Sequence, residues 1–236
     1  MRNIAAIMRR ELYAYFTSPM AYVVICFFLG ITSLLFALYV GSGRAEARMA
    51  DLLHTMAFLL VMVAPVITMG LIAQERNLGT IEVLLTKPVR EIEVALGKYL
   101  AAVVLLVIIL LVSFIYPLIM EKYGAPDWGE VLVGYLGILL AGASFLAIGL
   151  FSSSLTSNQI ASAVMTILVL LLFWLIGWIA MSVSQQIGDV VKQLSTFENI
   201  QDLEKGIFDT RPLVYFASLV FFFIFLTVRS LEQRRA

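Results

Sequence analysis

Gln74-Glu-Arg-Asn-Leu-Gly-Thr-Ile-Glu-Val-Leu-Leu-Thr-Lys-Pro-Val89 places Glu75, Arg76, Glu82 and Lys87 between two long apolar runs. A bilayer interior rejects so dense a group of charges, so the chain leaves the membrane here and the flanking runs are separate spans. Numbered as a helix at about 100° per residue, Leu78, Ile81 and Leu85 form one stripe and Glu75, Gly79 and Glu82 a neighbouring polar one. The spacing predicts an amphipathic helix over residues 74–89, roughly 20 Å long at about 1.5 Å per residue. One face can lie on lipid or protein while the other meets a soluble partner. Gly79 removes a side chain where another backbone can approach, Lys87 suits a helix C-terminus, and Pro88 stops the helix.

Outward from this segment the chain is greasy. Of 236 residues, 61% are hydrophobic and 14% charged, the composition of a polytopic membrane protein. Apolar runs able to cross a hydrocarbon layer of about 30 Å occupy residues 21–40, 56–73, 100–120, 131–150, 160–181 and 213–228. The expected fold class is all-α, a single transmembrane domain over residues 1–236 with six membrane helices. Pro65 and Pro117 fall inside spans and predict kinks whose freed carbonyls neighbouring helices must satisfy. In the fourth span Gly137 and Ala141, then Ala143 and Ala147, recur every fourth residue and allow close helix approach within one subunit.

Residues 2–16 read as an interfacial helix, with Ile4, Ile7, Met8, Leu12 and Tyr15 on one face and Arg2, Arg9 and Arg10 opposite. Glu11 falls in the apolar sector, a misfit that calls for a salt bridge or a protein partner. Thr17-Ser18-Pro19 ends this helix. Ten of the basic residues (Arg2, Arg9, Arg10, Arg76, Lys87, Arg90, Lys98, Arg229, Arg234 and Arg235) share one side of the six-span arrangement and six the other, so both termini are expected to be cytoplasmic.

Two connections remain. Residues 152–159, Ser-Ser-Ser-Leu-Thr-Ser-Asn-Gln, form a short, uncharged cytoplasmic turn rich in helix-capping residues. Residues 182–212 form a long outer connection: Ile187, Val190, Val191 and Leu194 repeat at helical spacing, and Phe197 to Gly206 offers a second amphipathic piece. It packs on the span ends, or it serves as an external gate or dock with Phe197, Ile200, Leu203 and Gly206 as its candidate residues.

Several chemistries are excluded. A phosphate-binding Gly-x-x-x-x-Gly-Lys-Ser/Thr loop is missing, so work must come from elsewhere. No ionisable residue falls deep in any predicted span, which argues against a proton- or sodium-driven carrier. No His-Glu-x-x-His pattern exists, and single residues Cys26 and His54 cannot build a disulfide framework or a zinc site. Formal net charge is zero, which argues against nucleic acid. The spans offer Ser113, Ser144 and Thr166 among apolar side chains, suited to a lipidic or hydrophobic-tailed cargo.

Glu75-Arg-Asn-x-Gly-Thr-x-Glu-x-Leu-Leu-x-x-Pro88 resembles the cytoplasmic coupling helix of ABC-2 type transporter permeases. Arg10-Glu-Leu-x-Ala-Tyr-Phe-x-Ser-Pro19, Tyr22 and residues 197–211 resemble the gliding-motility type of these permeases and, less closely, the copper-maturation permeases of nitrous oxide reductase clusters. The resemblance implies a permease in the bacterial inner membrane, paired with a second permease copy and two separate ATPase chains. This chain would bind no cofactor, ATP and magnesium residing on the partner. Glu75, Arg76, Thr80 and Glu82 would make polar contacts with the ATPase, Gly79 would allow close approach, and Leu84 and Leu85 would anchor the helix before Pro88. Thr156, Ser157, Asn158 and Gln159 would form a second contact. The gliding-type likeness further implies an accessory membrane protein with an extracytoplasmic domain.

Overall fold

The computed structural model describes residues 2–41, 49–79, 90–122, 127–180 and 195–233. Among them the chain forms helices α1 (Arg2–Thr17), α2 (Pro19–Gly41), α3 (Met49–Thr68), α4 (Ala73–Asn77), α5 (Glu91–Ser113), α6 (Ile115–Met120), α7 (Trp128–Leu155), α8 (Gln159–Ala180), α9 (Thr196–Glu204) and α10 (Thr210–Glu232), and no strand. The all-α class and all six spans are present. The spans run over Pro19–Val40, Met49–Asn77, Glu91–Met120, Trp128–Leu155, Gln159–Ile176 and Thr210–Glu232. Every one of them starts before its apolar run, because helices begin at caps rather than at the edge of hydrocarbon. Asp127 Oδ1 accepts from the Gly129 N–H at 2.8 Å, Asp209 Oδ1 from Arg211 N–H at 3.1 Å, and Glu93 reaches back to the Arg90 N–H at 3.1 Å.

Helix α7 is the axis of the bundle; α3, α5, α8, α9 and α10 all pack on it. Its small residues make that possible. A methyl group at Gly149 would collide with Thr68 of α3, and one at Gly137 would come 2.8 Å from Leu203 Cβ of α9. Ala141 and Ala147 are buried. The four-residue small spacing is therefore used within the subunit, where close backbone approach substitutes for a hydrophobic drive that lipid does not supply.

The two prolines behave differently. Helix α3 runs through Pro65 without interruption. At Pro117 the helix breaks, α5 ending at Ser113, the residue whose carbonyl the missing proline N–H would have served. The Tyr135 hydroxyl of α7 donates to that Ser113 carbonyl at 2.9 Å, so the neighbouring helix supplies the lost bond. Ser113, Ser144 and Thr166 are buried and each donates its hydroxyl to its own helix backbone, to Leu110, Ala141 and Ser162 respectively. Their hydroxyls are satisfied within the helices, as ordinary helix packing requires.

The two ends of the bundle are built from different elements. At one end Ser230 of α10 meets Ser154 of α7, and α1 lies against α5, where a methyl at Gly97 would come 2.8 Å from Ile7 Cβ. At the other end Glu130 of α7 accepts from the Ala50 N–H of α3, and Gly206, at φ +75°, turns the chain against the Glu130 backbone. The 187–194 repeat lies outside the described residues. The second amphipathic piece is α9, whose Ile200 and Leu203 are completely buried.

Candidate functional site

At the end of the bundle that carries α1 and the close of α10, the chain collects four charges from three elements. Arg10 Nη2 lies 2.8 Å from Glu11 Oε1 and 2.6 Å from Glu75 Oε1. Lys98 Nζ lies 3.0 Å from Glu11 Oε1 and 3.0 Å from Glu75 Oε2. Two cations and two anions alternate, so the group is neutral as a whole. Lys98 is the deepest at 1% exposure, and a lysine that dry is tolerated only with paired carboxylates. Burial opposes ionisation of Glu11, but Lys98 and Arg10 outweigh it and hold its carboxyl below the usual range. The misfit of Glu11 on the apolar face of α1 is thereby explained: that face rests on Lys98 of α5.

Beside this cluster the break between α3 and α4 is closed by two side chains. Ser153 Oγ of α7 accepts from the N–H groups of Ile72 and Ala73, at 3.1 and 3.0 Å, and donates to the Met69 carbonyl at 3.1 Å. Tyr15 of α1 donates to the Ile67 carbonyl at 2.9 Å. Leu71 N–H bonds Thr68 in a tighter turn, so the Ile67 carbonyl has lost its helical donor and Tyr15 replaces it. The hydroxyls convert an expensive helix interruption in the bundle into a fixed elbow.

The predicted coupling residues distribute as follows. Glu75 and Arg76 sit in α4, half-buried, with Glu75 turned into the ion cluster. The helix does not run on through 74–89: α4 ends at Asn77, and Gly79 adopts φ +67°, the left-handed turn that closes helices and that a side chain would strain. Gly79 therefore works here as a stop after one short helix. Leu78, on the predicted apolar stripe, is 65% exposed. Thr80, Glu82, Leu84, Leu85 and Pro88 lie outside the described residues. The chain returns at Arg90, and Lys98 stands two turns into α5. Both sides of the 80–89 segment are thus fastened to α1 through Glu75 and Lys98.

In the turn between α7 and α8, Asn158 Oδ1 caps α8 by accepting from Ile160 and Ala161, and Thr156 Oγ1 accepts from Asn158 N–H. Thr156 and Gln159 are half-buried, while Ser157 and Asn158 are exposed. Helix α4 packs on both α7 and α8, the helices this turn joins, so the two predicted contacts are neighbours on one inner surface. The serine run preceding the turn is helical and buried rather than loop, which is what brings Ser153 to the elbow.

Residues 6–230 match the family model for ABC-2 family transporter protein. The chain belongs to this family. Comparison with curated proteins gives no match. As a member of the ABC-2 family the chain is a multi-pass membrane permease subunit of an ABC transporter, the transmembrane part of a system whose family partners with ABC ATPase subunits. Helical periodicity in this ABC-2 permease does not reveal the contacts that hold α4 in place. Lys98 registered only as one more inner charge and Ser153 only as a capping residue; the one available signal was Glu11, whose wrong-face position demanded a partner.

Proposed function

We propose that this ABC-2 permease is energised through its inner surface by a separate ATPase chain and performs export or mechanotransmission across the bacterial inner membrane. The observation that carries this reading is the neutral ion cluster of Arg10, Glu11, Glu75 and Lys98, which links α1 and both flanks of the 80–89 segment into one unit. A force applied to that segment cannot move α4 alone; it also moves α1 and α5, and through the Ser153 and Tyr15 elbow it reaches α3 and α7. Nucleotide binding on the partner would supply the differential free energy between two packings of the bundle.

In this reading Arg76, Thr80, Glu82, Leu84 and Leu85 contact the ATPase, with residues 156–159 as the second contact, and Glu75 positions the segment. Two ATPase copies carrying ATP and magnesium would pair with two permease copies. The gliding-type likeness supports an accessory membrane protein on the outer side. Purification under mild solubilisation tests the scheme: an ATP-hydrolysing chain is expected to co-purify, and Glu82→Lys should abolish ATPase stimulation with membrane insertion unchanged. A stable particle with no nucleotide-binding subunit, or full stimulation by Glu82→Lys, overturns it.

A further inference from the structure

At the outer end His54 Nδ1 of α3 lies 3.0 Å from Glu204 Oε2 at the C-terminus of α9. Glu204 is 4% exposed, and a helix C-terminus is an unfavourable place for a buried carboxylate because the helix dipole opposes it. Its second oxygen, Oε1, is buried with no hydrogen-bond partner. His54 is the only described donor to this carboxylate. The imidazole stands edge-on to Phe197 at 5.3 Å and against Trp174 at 5.8 Å, so α9 and α8 hold it in place. One side of the pair opens to a cavity of about 340 Å³ lined by Tyr39, Asp51, Thr55, Gln201 and Lys205, through which external protons can reach it.

We propose that the His54–Glu204 pair is a proton-operated latch that keeps α9 seated in the outer end of the bundle. With one proton in the pair, His54 donates to Glu204 and the buried carboxylate is compensated. Loss of that proton leaves a buried anion at a helix C-terminus beside a neutral imidazole, and the seat of α9 is destabilised. Burial pushes the Glu204 carboxyl up, with His54 opposing, so the seated helix binds a proton more tightly than the released one. Seating is therefore favoured as pH falls and lost as pH rises.

The charges around the pair support that sign. From α3, Asp51 helps to raise the Glu204 carboxyl; Lys205, just past the end of α9, opposes it, and Glu198 and Asp202 lie on α9 itself. Glu130 of α7 is occupied by the Ala50 N–H, Tyr39 of α2 lines the cavity, and Tyr215 of α10 bonds Thr196. What the latch holds is substantial: Ile200 and Leu203 are fully buried, and Leu203 fills the notch at Gly137 of α7. Release would withdraw both from the bundle and open its outer end, which extends the gate reading of this connection and rests on the permease function.

Pulsed spin-label distances test the latch in the intact chain. Cys26→Ala removes the only cysteine, and labels at Asp202→Cys on α9 and Leu132→Cys on α7 report seating. In lipid nanodiscs without nucleotide or partner, the seated population is expected to fall as pH is raised from 6 to 9, with the short interspin distance giving way to a longer one. Glu204→Gln should stay seated at pH 9 and show no change across the range. A wild-type distance independent of pH, or an unaltered pH response in Glu204→Gln, overturns the proposal. Because no ATPase is present, this result is independent of the coupling experiment, and each can fail alone.

Discussion

The two ends of this permease bury charge in opposite ways. At the inner end Lys98 is enclosed by two carboxylates, and Arg10 completes a neutral square drawn from α1, α4 and α5. At the other end His54 is, among the described residues, the one titratable group hydrogen-bonded to Glu204. A compensated cluster with permanently charged members is a rigid joint, since every departure leaves an unpaired buried charge. A carboxylate resting on one histidine is conditional, since one proton decides whether it is compensated. In the proposed scheme the first end transmits displacement and the second can be released.

Breaking the inner joint is expected to have the largest effect. Lys98→Met leaves Glu11 and Glu75 facing each other with only Arg10 between them, a loss of about 3–5 kcal/mol typical of removing one partner from a buried ion pair. Thermal unfolding in detergent should record it, and adding Glu75→Gln should restore part of it. A drop no larger than that of a surface lysine variant would show that the cluster is not a joint. The elbow comes next. Ser153→Ala strands the Ile72 and Ala73 N–H groups and should cost about 1–3 kcal/mol, seen as faster amide exchange in α4 relative to α2.

The smallest effect sharpens the comparison most directly, because the two ends should respond to acid with opposite signs. Glu11 has a lowered carboxyl, so its contribution is present above the ordinary carboxylate range and is lost as pH falls through its folded value. Glu204 has a raised one, so its seat strengthens as pH falls and weakens as pH rises through its folded value. Amide exchange corrected for its intrinsic pH dependence should show α1 loosening on acidification while α9 tightens. Parallel behaviour of the two helices would contradict the distinction.

Much of the fold was legible without coordinates. Six apolar runs of membrane length force six helices because backbone groups in lipid have no other partner, and the lysine and arginine distribution orders their ends. The position of the inner surface followed from four charges at 75–87 that no bilayer admits. The wrong-face Glu11 announced a missing cation. The sequence could not name Lys98, which lies 87 residues away at the edge of an apolar run, because helical periodicity reports which face of one helix is polar and not which neighbour meets it. The same limit hid Ser153, Tyr135 and the His54–Glu204 pair, all defined by contacts between distant elements.

The continuous helix over 74–89 was a different kind of miss. Its periodicity was sound through Asn77, but a glycine tolerates a helix and a left-handed turn alike, and the elbow hydrogen bonds with the Glu75 ion pairs fix α4 so that Gly79 takes the turn. Sequence by itself determined six membrane helices with a charged segment between the second and third, because solvent preference acts on each residue separately. Tertiary structure alone decided which charges are joined, which hydroxyls mend the broken helices and which end can let go, because those depend on two distant residues reaching within about 3 Å of each other.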